Sequence, residues 1–332
     1  MPSVILSGFA DEAATEKTVD QQFSTMAALG LQHLSMRFID VGNGVKNVLQ
    51  LDTGEFDSLR SSLQNYGLHV ASIGSPVGKV KIADQDDGTE NRFVPFAEYL
   101  ETEVTAAIEA ANRLSTKLIR GFSFYHPRGS DHSQYLKQAI DQVGQITERC
   151  AAAGLVFGLE VEANLIGHRG EILKEIHQAI NHESLVLIFD GGNLVTQGFD
   201  ESEIMDQFQA MLPGLGWMHV KDYVAETSSK PGQYVDEEAL NRFVPADRGG
   251  TNHLAIFREL KSHLPKILER LTKVGVDGFV LDLEPHLKGG GQFGGFSGPD
   301  GMGVALRALC SVLENSQIDF HLRDFSSLPR TH

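Results

Sequence analysis

Cysteine is nearly absent from this chain. The 332 residues include two, Cys150 and Cys310, far apart and in no metal-type spacing. A disulfide framework and a zinc ribbon are both excluded, and a reducing compartment, the cytoplasm, is expected. Basic residues are in deficit: 28 Lys and Arg stand against 44 Asp and Glu, a formal net charge of −16. Such a chain repels polyanions, so no broad nucleic-acid-binding face is expected. No apolar run approaches the length of a membrane helix, so no membrane association is expected either. The start, Met1-Pro2-Ser3-Val4-Ile5-Leu6, lacks a charged n-region and a long apolar h-region. It reads as a first strand rather than a signal peptide. There is no short-period repeat and no composition break to mark a second domain, so residues 1–332 read as one domain. The 41% hydrophobic content is that of an ordinary globular core.

What is present is a regular alternation. Short apolar runs occur at Val4–Phe9, Leu34–Phe38, His69–Gly74, Lys117–Phe122, Leu155–Val161, Leu185–Phe189, Gly216–Val220 and Phe279–Leu283. Between them lie stretches with apolar residues at helical spacing, such as Val19, Phe23 and Met26, or Phe56, Leu59 and Leu63. Gly30, Gly67 and Gly154 are placed to end helices. Leu254 to Val274 reads as helical with a break near Pro265. Eight strand–helix pairs in order are the count for a closed (β/α)8 TIM barrel, an α/β fold. Two irregular stretches interrupt the pattern. One is an insertion from Ala225 to Thr251 after the seventh strand; the other is a glycine-rich loop after the eighth.

Four of the strands end alike. Gly158-Leu159-Glu160, Ile188-Phe189-Asp190, Trp217-Met218-His219 and Leu283-Glu284 each deliver a metal-type ligand at a carboxyl end. In a parallel barrel those ends meet at the face where active sites lie. One such residue would more often be a helix cap; four on separate strands argue for a shared site. Glu, Asp, His and Glu make a mixed oxygen and nitrogen donor set, suited to one borderline or hard divalent ion.

These residues carry a resemblance. Gly154-Leu155-Val156-Phe157-Gly158-Leu159-Glu160, Phe189-Asp190-Gly191-Gly192-Asn193, His219-Val220-Lys221-Asp222 and Leu283-Glu284-Pro285 resemble the xylose-isomerase-like barrel superfamily. That group holds sugar isomerases, keto-sugar epimerases, inosose dehydratases and apurinic endonucleases. The resemblance implies that Glu160, Asp190, His219 and Glu284 hold a divalent metal (Mn, Co, Mg or Zn). It also implies that Glu160 and Glu284 exchange protons on opposite faces of a sugar carbon. Glu162, two residues beyond Glu160, points the same way along a strand and competes as ligand, with Glu160 favoured by its spacing from Gly154. Asn193 stands where the endonucleases carry a histidine, and strand seven lacks their Asp-x-His, which leaves ligands for one metal. Self-association is compatible with the family; no sequence feature sets a subunit number.

Other residues are candidates by position. His286 and Lys288 follow a ligand directly and weigh as catalytic and substrate-binding residues over a solvated loop. Phe293 and Phe296, in the glycine-rich loop, suit a wall against a sugar ring or an aromatic aglycone. Arg120, Lys79 and His168 are candidate substrate contacts, each against a salt-bridge, loop or helix-cap alternative; Arg37 is weighed as Arg120 is. Lys221 is a further candidate contact, although it and Asp222 read more simply as supports that orient His219. No Arg/Lys cluster for a phosphate is visible, so an unphosphorylated carbohydrate is the expected partner. The first expectation is a metal-dependent sugar isomerase or epimerase working by proton abstraction beside a carbonyl. A lyase or dehydratase on a keto-sugar or 3-keto-glycoside, carbon-glycoside cleavage included, is the alternative. An apurinic endonuclease and a non-catalytic sugar-binding barrel stand behind both.

Overall fold

Eight short, mostly apolar segments fold as parallel strands in the computed structural model, which describes residues 4–225, 231, 233–289, 295–324 and 326. They are Val4–Gly8 (β1), His33–Met36 (β2), His69–Ile73 (β3), Leu118–Gly121 (β4), Val156–Glu160 (β5), Leu185–Asp190 (β6), Leu215–Val220 (β7) and Phe279–Leu283 (β8). Their spatial order is β1-β8-β7-β6-β5-β4-β3-β2, with every neighbouring pair parallel. A parallel bridge between Phe9 and Ser35 brings the two ends of this order together, so the sheet rolls into a single TIM barrel. Strands β4 to β8 are buried at every position, as required when one face meets the barrel interior and the other the helices.

The helices that cover the barrel are Val19–Ala28 (α1), Thr53–Tyr66 (α2), Thr105–Arg113 (α3), Leu136–Ala152 (α4), Gly170–Ile180 (α5), Glu201–Met211 (α6), His253–Lys273 (α7) and Gly298–Ser316 (α8). Local sequence sets their ends. Asp52 with Glu55 and Asp200 with Glu203 form capping boxes that satisfy the first amides of α2 and α6. Gly67 takes the left-handed conformation after α2 and closes it. The break expected at Pro265 is not there: α7 runs unbroken from His253 to Lys273. Pro265 is on the exposed side, where the hydrogen bond it cannot make leaves a carbonyl facing water.

Two additions lie at the strand ends. Phe38–Asp40 pairs antiparallel with Val45–Asn47 around Gly42-Asn43-Gly44, a hairpin that the apolar pattern alone does not reveal. In the insertion, Asp222–Tyr223 pairs antiparallel with Phe243–Val244. The ladder folds the returning chain back over the barrel mouth.

Inside the barrel, close packing supports the site from below. Alternation sends Gly158 inward with Glu160, and Trp217 inward with His219. A Cβ on Gly158 would lie 2.1 Å from the Trp217 ring, so the indole fills the space that this glycine leaves. Trp217 is wholly buried and forms a floor one pleat beneath the two polar side chains.

Candidate metal centre

Glu160 ends β5, Asp190 ends β6, His219 is the penultimate residue of β7, and Glu284 follows β8 by one residue. All four side chains turn inward. Each brings one donor atom within 4.8 Å of the others, and all four residues are buried. His219 Nδ1 lies 3.0 Å from Glu160 Oε1 and 3.7 Å from Glu284 Oε2. Asp190 is held by its place in the chain: its carboxylate accepts from the Asn193 amide (3.1 Å) and caps the short helix Gly191–Thr196.

Three buried carboxylates in one place repel each other unless cations intervene. Lys221 Nζ lies 3.1 Å from Asp190 Oδ2 and 3.0 Å from Glu284 Oε2. Arg120 reaches Glu160 Oε2 at 3.5 Å and Glu284 Oε1 at 3.4 Å. Arg37 donates to Glu284 Oε1 at 2.9 Å and to Asp11 Oδ2 at 3.1 Å. Sequence alone shows no cluster of basic residues; the strand ends gather them here. The titrations follow this arrangement. Burial pushes Asp190 up to about 6, against the pull of Lys221. Burial also acts to raise Glu160, but His219 and Arg120 together hold it below the usual carboxylate range. Glu284 is likewise subject to burial, yet Lys221, His286, His219 and Arg120 hold it well below that range.

The donor set fits a divalent ion. Glu160 Oε2 and Asp190 Oδ2 are buried without a hydrogen bond, facing only the charges of Arg120 and Lys221. The far ring nitrogen of His219, Nε2, also lacks a partner among the described residues. Buried polar atoms left this way are costly, and a cation among them would offset that cost. Carboxylates with one imidazole suit Mg, Mn, Co or Zn.

A second buried group adjoins the first. His286 Nδ1 lies 2.7 Å from Glu12 Oε1, and the His286 amide donates to Glu12 Oε2 at 2.9 Å. Ser297 Oγ donates to the same oxygen at 3.0 Å. Glu12, Glu284 and His286 form another set of converging donor atoms. The Phe243 ring meets His286 edge-on at 5.0 Å, and a Cβ on Gly295 would lie 1.7 Å from His286 Nδ1. Gly295 therefore packs directly against this imidazole.

The remaining candidates divide. Glu162 leaves the strand line and pairs with Lys79 at 3.1 Å; Glu160 alone of the two joins the four-residue cluster. Lys221 and Arg120 touch the cluster as described. Asp222 does not support His219, contrary to expectation. It accepts from Thr251 N and Oγ and lies 3.2 Å from His253, so it anchors the end of the insertion to α7. Lys288 points outward to Asp300 at 2.5 Å, with Phe296 beneath it at 5.8 Å, and neither is among the described residues that line the two cavities over the cluster. Phe293 lies outside the described residues. His168 lines a separate cavity beside the site.

Sequence reasoning missed Glu12 and undervalued Asn193. Asn193 donates to Glu160 Oε1 at 3.2 Å and so fixes which oxygen stays free. The signal for Glu12 was its place in the loop after the first strand, where Asp11 and Glu12 follow an apolar run. Space for a ligand opens in two places. A cleft of about 30 Å³ lies over Asn193, Lys221, Glu284 and His286, with Leu240 and Phe243 of the insertion above it. It shares Lys79 and Arg120 with a cavity of about 320 Å³ that reaches Arg37 and Phe38.

Comparison places this architecture among known proteins. Residues 23–292 match the family described as xylose isomerase-like TIM barrel, and the chain belongs to that family. No curated protein matches the sequence significantly. Among solved structures, it is similar to a xylose isomerase-like TIM barrel protein from Mycobacterium smegmatis in complex with magnesium. The identity there is 15%, with 95% of this chain and 96% of that one covered and a TM-score of 0.63. D-psicose 3-epimerase from Clostridium cellulolyticum H10, solved with D-tagatose, is similar at 14% identity, with 94% and 98% covered and a TM-score of 0.57. The probable 3-DHS dehydratase AsbF from Bacillus anthracis is similar at 14% identity, with 93% and 99% covered and a TM-score of 0.58.

Proposed function

We propose that this protein is a divalent-metal-dependent enzyme that removes and returns a proton beside the carbonyl of a sugar or keto-sugar, as an isomerase or epimerase. The observation that carries the reading is the pair Glu160 and Glu284. Both are buried, both lie below the usual carboxylate range, and both are within 4.8 Å of Asp190 and His219 donor atoms. When bound by these four residues, a divalent ion (Mn, Co, Mg or Zn) supplies Lewis-acid polarisation of a carbonyl. The protein's own groups do the rest. Glu160 and Glu284 are ionised and positioned to take a proton from carbon and to give one back. Arg120 and Lys221 hold them charged and present positive charge toward oxygen atoms that become anionic. Lys79, Arg37 and Arg120 line the 320 Å³ cavity in which the reacting sugar sits. Similarity to an epimerase solved with D-tagatose and to another solved with D-fructose supports a carbohydrate substrate.

Elimination, a lyase or dehydratase reaction, is the second reading, favoured by the Glu12–His286 pair. A simple epimerisation needs two proton-transfer groups, and here a third stands beside Glu284, suited to protonating a departing oxygen.

Solvent deuterium exchange tests the shared step. Manganese-loaded protein in D2O should place deuterium beside the carbonyl of at least one of fructose, tagatose or 3-keto-glucose, by NMR. Glu160→Gln and Glu284→Gln should each lower that rate by at least about a hundredfold. Absence of exchange in every substrate with metal bound would contradict both readings.

A further inference from the structure

The barrel interior holds another polar layer, one pleat beneath the metal centre. Ser7 and Asp282 lie two residues before Phe9 and Glu284, and Ser35 lies two before Arg37, so alternation turns them inward as well. Ser72 of β3 joins them. All four are 0% exposed. The chemistry above makes no use of this layer. A buried carboxylate such as Asp282 costs free energy unless hydrogen bonds and an opposing charge offset its burial.

Asp282 has one oxygen held and one free. Oδ2 accepts from Ser35 Oγ and, at 3.5 Å, from Ser72 Oγ; the two hydroxyls are 2.7 Å apart. Oδ1 is buried without a hydrogen bond among the described residues. Two other atoms of the same row share that condition, Ser7 Oγ on one side and His219 Nε2 on the other. The row is continuous. Ser7 of β1 is the register partner of Asp282 on β8, and Asp282 is the register partner of His219 on β7. Neighbouring strands lie about 5 Å apart, so three inward side chains in one row are adjacent. Burial acts to raise the Asp282 carboxyl, and His219 is the charged group that most opposes this.

A metal-binding imidazole needs one bare nitrogen and keeps its proton on the other. His219 Nδ1, at 3.0 Å from Glu160 Oε1 and 3.7 Å from Glu284 Oε2, faces the ligand carboxylates. Nδ1 is thus the nitrogen that would hold the ion, and Nε2 carries the proton and needs an acceptor. The ring also meets Phe9 edge-on at 5.2 Å, an apolar contact that supplies none. In its own row the strongest acceptor is the free oxygen of Asp282, because it belongs to a carboxylate.

We infer that Asp282 is a positioning residue for the metal centre: its Oδ1, through one water shared with Ser7 Oγ, accepts the proton of His219 Nε2 and fixes the imidazole with Nδ1 toward the metal. One water bonded to these three atoms satisfies all of them at once, with about the number of partners that a buried water takes. A carboxylate behind the ring also makes the imidazole a stronger donor to a cation. The inference rests on the reading of Glu160, Asp190, His219 and Glu284 as metal ligands.

Metal affinity and the imidazole's own spectrum decide it. In competition with a chelating dye, Asp282→Asn should bind manganese about 10–100-fold more weakly than wild type. Ser7→Ala, which keeps the carboxylate, should lose roughly threefold. In zinc-loaded protein with nitrogen-15-labelled histidine, NMR should find His219 with a zinc-bound Nδ1 and a protonated Nε2, its proton downfield and slow to exchange. Loss of the resonance in His219→Gln assigns it. Asp282→Asn should move that proton upfield and speed its exchange, a change that lowered stability alone does not produce. If Asp282→Asn does not fold, Ser7→Ala should move the same proton in the same direction. Unchanged manganese affinity in the variants, an Nε2 proton indifferent to them, or a proton found on Nδ1 would overturn the inference. A wild type that binds metal no better than Asp282→Asn sinks the role of Asp282 alone. A wild type that binds neither ion sinks the metal centre, and this role falls with it.

Discussion

Lys221 shows how much of the site depends on single charges. It is buried, and Asp190 and Glu284 raise its titration well above the ordinary lysine value despite burial. Removing it would leave Asp190 with no cation within salt-bridge distance among the described residues. Lys221→Met should therefore destabilise the metal-free protein by about 3–5 kcal/mol, the scale for breaking a buried ion pair. Added manganese should restore most of that loss, because a divalent ion meets the same carboxylates. Urea denaturation with and without manganese measures both effects; unchanged stability without metal would contradict the role given to Lys221. At this scale the sequence was informative where position in a strand implied direction. Glu160, Asp190, His219 and Glu284 each close an apolar run, and the structure brings all four together. Lys288 misled because closeness in sequence to Glu284 does not fix direction once the chain leaves the strand. His286 takes a positive φ of 50°, and the loop turns Lys288 outward to Asp300. Glu12 follows β1, which pairs with β8, and Arg37 follows β2, which meets β1 where the sheet closes, so their closeness to Glu284 appears only in the rolled sheet.

Strands and helices were legible because burial imposes a period. All eight barrel strands lie where apolar runs predict them. The Phe38–Asn47 hairpin was missed because its strands are three residues each and only partly buried, so no alternation stands out; Asn43-Gly44 was the available turn signal. At Pro265 local propensity lost to packing: Leu260, Leu264, Ile267 and Leu271 bury one continuous face across the proline. The pairing of β5 and β7 side chains gives a sharper test. Gly158 exists to admit the Trp217 ring, so Gly158→Ala should cost about 1–3 kcal/mol through overpacking. It should also weaken manganese binding by tilting Glu160 and His219 above it. Thermal denaturation and metal titration of this variant check the two effects, and a neutral result in both would mean that the floor does not position the site.

At the scale of the whole molecule, an acidic chain of net charge −16 places its cations selectively. Arg37, Arg120 and Lys221 come from different strand ends and meet around one group of buried carboxylates, while Lys79 pairs with the adjoining Glu162. The fold was readable because eight strand–helix units repeat one pattern, and membership of the xylose isomerase-like TIM barrel family agrees with it. The cavity that His168 lines was not readable: its walls come from the loops after β3, β4, β5 and β6 and from the insertion, whose meeting depends on the barrel's closure. The central claim is that the four strand-end residues hold one divalent ion. Metal content of purified protein after manganese or zinc loading and desalting tests it, for wild type, His219→Ala and Glu284→Gln in parallel. The account predicts about one ion per wild-type chain and a loss of most of it in both variants. A wild-type chain that retains no metal, or variants that retain it fully, would contradict the account.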